Sequence, residues 1–124
     1  MTAILLTVQK FKKVSLLLLQ IYIWGLQNED NRNRVVSWRS TNRITATPWL
    51  DDNNVSAVIA QCIANKLLET EERKSGAPNL LLGPQAHIIL SNIRKLELTE
   101  EINYNLKTMG RLTETMVGKI CLDF

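Results

Sequence analysis

The side chains best able to do chemistry in this chain of 124 residues are one histidine, His87, and two cysteines, Cys62 and Cys121. A histidine transfers protons when an acid or a nucleophile stands near it, but His87 is followed by Ile88 and Ile89. The cysteines are far apart in sequence, form no CxxC pair and lie among aliphatic residues. We therefore expect two reduced, buried thiols and neither catalysis nor a zinc site.

Motifs that build catalytic or cofactor sites are missing from the sequence. It contains no GxxxxGKS/T phosphate loop, no GxGxxG turn, no HExxH helix and no paired-carboxylate motif. Glu69 and Glu71 alternate along a predicted strand, and Glu100 with Glu101 suits the acidic first turn of a helix. We expect a protein that is not an enzyme and that holds no cofactor and no metal ion.

Positive charge is concentrated in the first part of the chain. Residues 1–49 carry seven lysines and arginines against two acids, a formal charge of +5. The whole chain has a formal charge of +3, so the remaining residues sum to −2. Attraction to phosphate is therefore expected from the first part. The candidate contacts to a DNA backbone are Arg32, Arg34, Arg39, Arg43, Arg73 and Lys74. A solvated helix surface is the alternative for the first four.

A basic cluster and an apolar run, KFKKVSLLLLQIYIWGLQ, occupy residues 10–27. The apolar run over residues 14–26 is too short to cross a bilayer, and no small-x-small cleavage site follows it. We therefore predict one buried helix over residues 10–27, and a cytoplasmic protein without a membrane partner. The preceding residues 1–9 are expected to be a strand or an extension of this helix.

The rest of the chain predicts a series of helices around one hairpin. NEDN at 28–31 supplies capping groups, with Asn28 or Asp30 as the N-cap of a second helix. The expected bounds are a helix to residue 41, an extended stretch over 42–50, a helix over 53–68, a hairpin over 68–82, a helix over 84–96 and a last helix from 99. The tryptophans are expected to anchor the core or an interface: Trp24, Trp38 and Trp49.

An apolar stripe runs along the last predicted helix at spacings of four, three, three and four residues. Its members are Ile102, Leu106, Met109, Leu112 and Met116. Such a stripe is a candidate partner interface, either with a second copy of the chain or in a groove of another protein. The alternative is that it packs on the chain's own helix over residues 10–27.

This order of elements resembles a winged helix-turn-helix domain, in which a hairpin, the wing, follows the third helix. The resemblance reaches the residues NKLLE at 65–69 and LGPQAHIIL at 82–90, although Gly83 stands where threonine is usual and Ala86 where glycine is usual. It implies a mainly α (α+β) fold in a single domain over residues 1–124. The extension is residues 1–9, the winged-helix body residues 10–96, and the C-terminal amphipathic helix residues 97–124.

Charge argues against ordinary DNA reading by such a domain. A winged helix that reads DNA presents cations or amides on its third helix and its wing. Residues 51–67 contain one cation against two acids, and residues 68–79 two cations against three, so the expected face sums to −2. Base contacts could come from Asn53, Asn54, Gln61 and Asn65, for which capping and a solvated helix face are the alternative.

Two segments resemble the small middle component of bacterial three-component ABC defence systems, the Lamassu type among them. They are IYIWGLQNEDNRNRVVSW at 21–38 and NVSAVIAQCIANKLLE at 54–69. The resemblance implies a non-enzymatic accessory subunit that binds an SMC-like coiled-coil ATPase and an effector subunit in an anti-phage or anti-plasmid complex. It carries over no site residue. The alternative is a winged-helix transcription regulator that binds DNA as a homodimer.

Overall fold

The computed structural model of the chain describes residues 2–41, 52–72, 78–94 and 96–112. In these ranges, six α-helices accompany one three-stranded antiparallel sheet. The helices are α1 (Thr2–Phe11), α2 (Leu16–Gln27), α3 (Glu29–Thr41), α4 (Asp52–Ala64), α5 (Ala86–Ile93) and α6 (Glu97–Met109), and the strands are β1 (Val14–Ser15), β2 (Leu68–Glu71) and β3 (Asn79–Leu82). The fold is therefore mainly helical and of the α+β class, as the sequence predicts.

The prediction of one continuous helix over residues 10–27 is wrong, because the chain turns at Lys12. Its φ of 66° lies in the left-handed region, and the N–H of Lys13 donates to the carbonyl of Phe11 at 2.8 Å. After β1, the Ser15 hydroxyl accepts a hydrogen bond from the N–H of Leu18 at 3.3 Å and so caps α2. Two helices joined by a short strand take the place of one.

Residues 2–9, predicted to be an N-terminal extension, form most of α1 and lie in the hydrophobic core. Ile4, Leu5, Leu6 and Val8 are all buried. Because α1 packs against α6, α2 and β3, it joins the two ends of the described chain. Burial of these side chains stabilises the fold by about 1.5–3 kcal/mol each.

Asn28 begins α3, as the sequence predicts. Its side-chain oxygen accepts a hydrogen bond from the N–H of Asn31 at 2.8 Å, and the Asn31 amide donates to the carbonyl of Trp24 at 3.0 Å. The connection fixes α3 against α2, where the rings of Trp24 and Trp38 stack with centroids 5.5 Å apart. Both tryptophans are buried. Trp49 lies outside the described residues.

The sheet has the strand order β1-β3-β2. Leu68 is paired with Leu82 across β2 and β3, and Val14 with Leu80 across β1 and β3. The antiparallel pair of β2 and β3 confirms the predicted hairpin strands. The predicted strand over residues 42–50 lies outside the described residues, and within them the first strand is β1.

The end of α4 and the start of α5 touch through the backbone. Lys66 has a φ of 62°, in the left-handed region. The N–H of Leu67 donates to the carbonyl of Cys62 at 2.8 Å, and the N–H of Lys66 donates to the carbonyl of Ile63 at 3.1 Å. These two bonds form a Schellman motif that ends α4. A Cβ at Gly83 would overlap the Lys66 carbonyl, which explains why no threonine stands there.

Within the described ranges, no helix combines the length and the apolar character that crossing a bilayer requires.

Lys66→Gly is expected to stabilise the protein, because glycine adopts the left-handed region without the steric cost that a side chain incurs. Lys66 is exposed, so the substitution removes no buried contact. The free energy of unfolding should rise by about 0.5–1 kcal/mol in urea denaturation. Gly83→Ala is the opposing control and should lower it, since the added methyl group meets the Lys66 carbonyl. A loss of stability in Lys66→Gly contradicts the prediction.

Candidate functional site

Most side chains of α4 are exposed to solvent. Ile59 and Cys62 are buried, and Val55 and Val58 are half-buried against the core. Among the described elements α4 packs mainly on β2. The exposed side chains, from Asn54 to Ala64, are Asn54, Ser56, Ala57, Ala60, Gln61, Ile63 and Ala64. They are small, apolar or amide side chains, and the sequence of α4 holds no lysine or arginine.

The exposed side chains of α4 divide into two groups. At about 100° per residue, Ala57, Ala60 and Ala64 form the outward side opposite the buried residues, and Ile63 lies at its margin next to Ser56. Ile63 is a large apolar residue, and 39% of its surface is exposed. We call these four residues the α4 apolar face. It carries no charge, so it suits contact with protein better than contact with phosphate.

The amides predicted as base contacts lie beside this face. Asn54, Gln61 and Asn65 are exposed and, at spacings of seven and four residues, share one side of the helix. The side chain of Asn53 lies outside the described set. The helical geometry therefore brings three of the four predicted amides together.

The predicted basic patch is divided by the structure. Arg32 and Arg39 are seven residues apart on one side of α3, whereas Arg34 points about 140° away from Arg39. Arg32 donates to the carbonyl of Leu26 at 3.4 Å, and Arg39 packs against Gly110 at the end of α6. These two side chains hold helix ends. Arg43, Arg73 and Lys74 lie outside the described residues.

The apolar stripe predicted as a partner interface lies in the chain's own core. Leu106 and Met109 are fully buried, Leu112 is 4% exposed, and Ile102 packs partly buried against the core. Met116 lies outside the described residues. The stripe is covered because α6 packs against α1, α2 and α3. This is the internal alternative that the sequence leaves open, so these four side chains are not presented to a partner.

A buried tyrosine connects the end of α6 to α1 and α2. The Tyr22 hydroxyl donates to the carbonyl of Gly110 at 2.8 Å and accepts from the N–H of Leu112 at 2.8 Å. The Tyr22 ring stacks on Phe11 with centroids 4.6 Å apart, and Arg111 donates to the Phe11 carbonyl at 2.9 Å. Burial raises the pKa of Tyr22 to about 12, although the Leu112 N–H and nearby arginines oppose the shift. No local sequence signal marks a contact between residues so distant.

A pocket of about 310 Å³ lies beside Tyr22 and is bordered by Lys13 and Arg111. The Lys13 ammonium is 3.1 Å from Glu71 Oε1 in an exposed ion pair, and the Arg111 guanidinium is held by the Phe11 carbonyl. Glu71 offsets the charge of Lys13, whereas the Phe11 carbonyl is neutral and orients Arg111 without removing its charge.

The histidine and the cysteine of the described chain have structural surroundings. His87 Nδ1 lies 2.9 Å from the carbonyl of Pro84, which requires a protonated Nδ1 in this contact. Cys62 is buried, and desolvation raises the pKa of its thiol, which favours the unreactive protonated form. Cys121 lies outside the described residues, among which no cluster of histidine, cysteine and acidic side chains could hold a metal ion.

Tyr22→Phe is expected to lower the free energy of unfolding by about 1–3 kcal/mol at pH 8, because Gly110 and Leu112 lose their buried partner. With wild-type protein, the folded-state pKa of about 12 exceeds the unfolded value of 10.0. Stability is therefore complete below pH 10 and falls by about 2–3 kcal/mol as the pH rises through 12. Urea denaturation over this range measures the fall. In the Tyr22→Phe variant, the part of the fall that ionisation of Tyr22 causes should be absent.

Tyr104→Phe is the matched control, since Tyr104 is 71% exposed. It should leave both the stability at pH 8 and its fall at alkaline pH unchanged. Equal behaviour of the two variants contradicts the role assigned to Tyr22.

Comparison of the chain with protein-family models, with curated proteins and with solved structures found no match. The function proposed for the protein therefore rests on its own contacts and charges and on the segments at 21–38 and 54–69.

Proposed function

We propose that the protein is a non-enzymatic accessory subunit that binds another protein through the α4 apolar face. The single observation that carries this proposal is the character of that face. It exposes alanines and Ile63 on a helix without lysine or arginine. Exposed apolar side chains that lie together on one helix are typical of protein interfaces.

The proposal includes a winged-helix arrangement of the chain. Helix α1 precedes β1, further helices precede β2 and β3, and β3 lies between the other two strands. In this arrangement α4 takes the position of the recognition helix, β2 and β3 form the wing, and α5 with α6 are additions. The first strand is then β1, which lies nearer the N-terminus than the strand predicted over residues 42–50.

The partner we propose is an SMC-like coiled-coil ATPase of a bacterial three-component defence complex. This choice rests on the resemblance of residues 21–38 and 54–69 to the middle component of such systems. The segment 54–69 that carries the resemblance contains the whole α4 apolar face and leads directly into β2. A subunit of this kind acts by joining other subunits and needs no catalytic group of its own.

A DNA-binding regulator that acts as a homodimer is the second candidate. The observation that favours it is the shared side of Asn54, Gln61 and Asn65, since amides at such positions can contact adenine in the major groove. Against it, a duplex-binding surface needs cations, and β2 and its flank carry Glu69, Glu71 and Glu72 instead.

Ala60→Arg should separate the partner from the protein. The new side chain stands on the α4 apolar face, and arginine keeps the helix because its propensity is close to that of alanine. A coiled-coil ATPase gene is the expected neighbour of this one, and its product, co-expressed with wild-type protein, should give a complex. We expect the variant to bind this ATPase at least about tenfold more weakly, by about 1.4 kcal/mol or more.

Asn92→Arg is the matched control, because it adds the same group at an exposed position of α5. It should bind the ATPase as the wild type does. If Ala60→Arg binds equally well, α4 is not the interface. If wild-type protein forms no complex with the ATPase, the proposed function is wrong.

The chain alone should bind duplex DNA weakly, with a Kd of about 1 μM or higher at about 200 mM salt. Fluorescence anisotropy with a labelled duplex, at about 50 and 200 mM salt, measures this affinity. Tight, sequence-dependent binding that is lost in Asn54→Ala/Gln61→Ala favours the regulator over the accessory subunit.

A further inference from the structure

The outer edge of β2 presents backbone groups without a strand beside it. The N–H of Gly83 donates to the carbonyl of Leu67 at 2.9 Å, and the register continues this pairing to Glu69 with Leu81 and Glu71 with Asn79. Hydrogen-bonded and non-bonded pairs alternate in an antiparallel ladder. The N–H and C=O groups of residues 68 and 70 therefore point away from β3. Leu68 is buried and Thr70 is exposed, so the accessible groups of this edge are those of Thr70.

The same alternation agrees with the opposite edge of the sheet. Leu80 lies across from Thr70 in a non-bonded pair, so its backbone groups point toward β1, where Val14 pairs with it. In the described ranges the strand order is β1-β3-β2, so β1 occupies that side and no strand occupies the outer side of β2. An unpaired edge of this kind is a template for an added strand.

A shallow depression of about 500 Å³ lies along this edge. It is lined by Ile63, Leu68 and Pro84 on its apolar side and by Lys66, Glu69 and Thr70. Ile63 also belongs to the α4 apolar face, so the depression connects that face with the strand edge. An extended chain along β2 would place one side chain on Ile63.

Among the described residues beside the edge, acids outnumber cations. Glu69 and Glu72 are exposed, and Glu71 is paired with Lys13 on the other side of the strand pair. Of the described residues that line the depression, Lys66 is the one cation. Side chains alternate along β2, so Glu69 and Glu71 share one face and Glu72 does not. Lysines or arginines at alternate positions of an extended segment would complement Glu69.

We propose that the β2 edge binds an extended, basic segment of a partner protein as a fourth strand of the sheet. Backbone groups of Thr70 supply the accessible ladder hydrogen bonds, Ile63 contacts an apolar side chain, and Glu69 selects basic residues. A second copy of this chain is a poor occupant, because antiparallel pairing of two β2 edges would bring like-charged glutamates together. The proposal rests on the protein-binding function above and names the chemistry of the partner.

An alternating lysine and valine peptide with blocked ends is the probe, and its glutamate and valine counterpart is the control. We expect the full-length protein to bind the basic peptide with a Kd at least about tenfold lower than the acidic one. NMR amide shifts should change at residues 68–72 and leave α3 unaffected. Equal binding of both peptides, or shifts confined to other elements, overturns the proposal.

Two variants test the contacts separately. Glu69→Lys should weaken the basic peptide by about tenfold or more through lost charge complementarity, while Thr70→Pro should abolish binding because it removes the outward N–H without removing a bond to β3. Thr70→Val keeps the N–H and should bind normally. A basic peptide whose alternate residues are N-methylated should not bind wild-type protein, because it lacks the N–H groups that strand addition requires. This peptide tests strand addition even if Thr70→Pro does not fold. Retained binding of that peptide overturns the proposal.

Failure of the edge proposal can be distinguished from failure of the proposed function. If the ATPase complex forms undiminished with Glu69→Lys and the basic peptide does not bind wild-type protein, the edge proposal alone fails. If the peptide binds as described and no ATPase complex forms, the partner assignment fails and the edge site stands.

Discussion

The Tyr22 hydroxyl is the contact on which the arrangement of the helices depends. It joins α2 to the carbonyl of Gly110 and the N–H of Leu112, 88 and 90 residues along the chain. Because the hydroxyl is buried, both of these backbone groups would lack a partner without it. The bond holds the end of α6 where Leu106 and Met109 fill the core between α1, α2 and α3. The buried side of α6 is thereby closed to partners, whereas α4 exposes Ile63 and three alanines to solvent.

A second backbone contact couples α4 to the sheet. Lys66 takes a left-handed conformation that ends α4, and its carbonyl accepts the N–H of Gln85 at 3.0 Å. Gly83 passes so near this carbonyl that a side chain would not fit. Gln85 makes no side-chain cap bond at the start of α5. The close approach of Gly83 to Lys66 leaves no room at position 83 for a residue with a capping hydroxyl. The α4 apolar face and the β2 edge are thereby held in a fixed relation.

The sequence predicts a helix best where one side of the helix is apolar and the other side is polar. Asn28 and the NEDN turn foretell the start of α3, and the spacing from Val55 to Cys62 foretells α4, because capping and periodicity are local properties. The break between α1 and α2 escapes prediction because residues 14–26 are apolar on all sides and show no change of period. For α6 the spacing identifies a buried side but cannot say what covers it. Tyr22 has no local mark, since its partners are distant.

The acidic side chains along β2 bear on protein partners as well as on DNA. Lys13 neutralises Glu71 in an ion pair whose side chains are 57% and 41% exposed, and such a pair contributes about 0–1 kcal/mol to stability. Stability therefore does not explain why acids are placed along β2. Glu69 and Glu72 remain exposed beside an unpaired strand edge, where bare apolar residues would promote association between copies. Negative charge there repels a second β2 edge and attracts a basic one, so the same glutamates that disfavour a nucleic-acid surface are suited to selecting a protein strand.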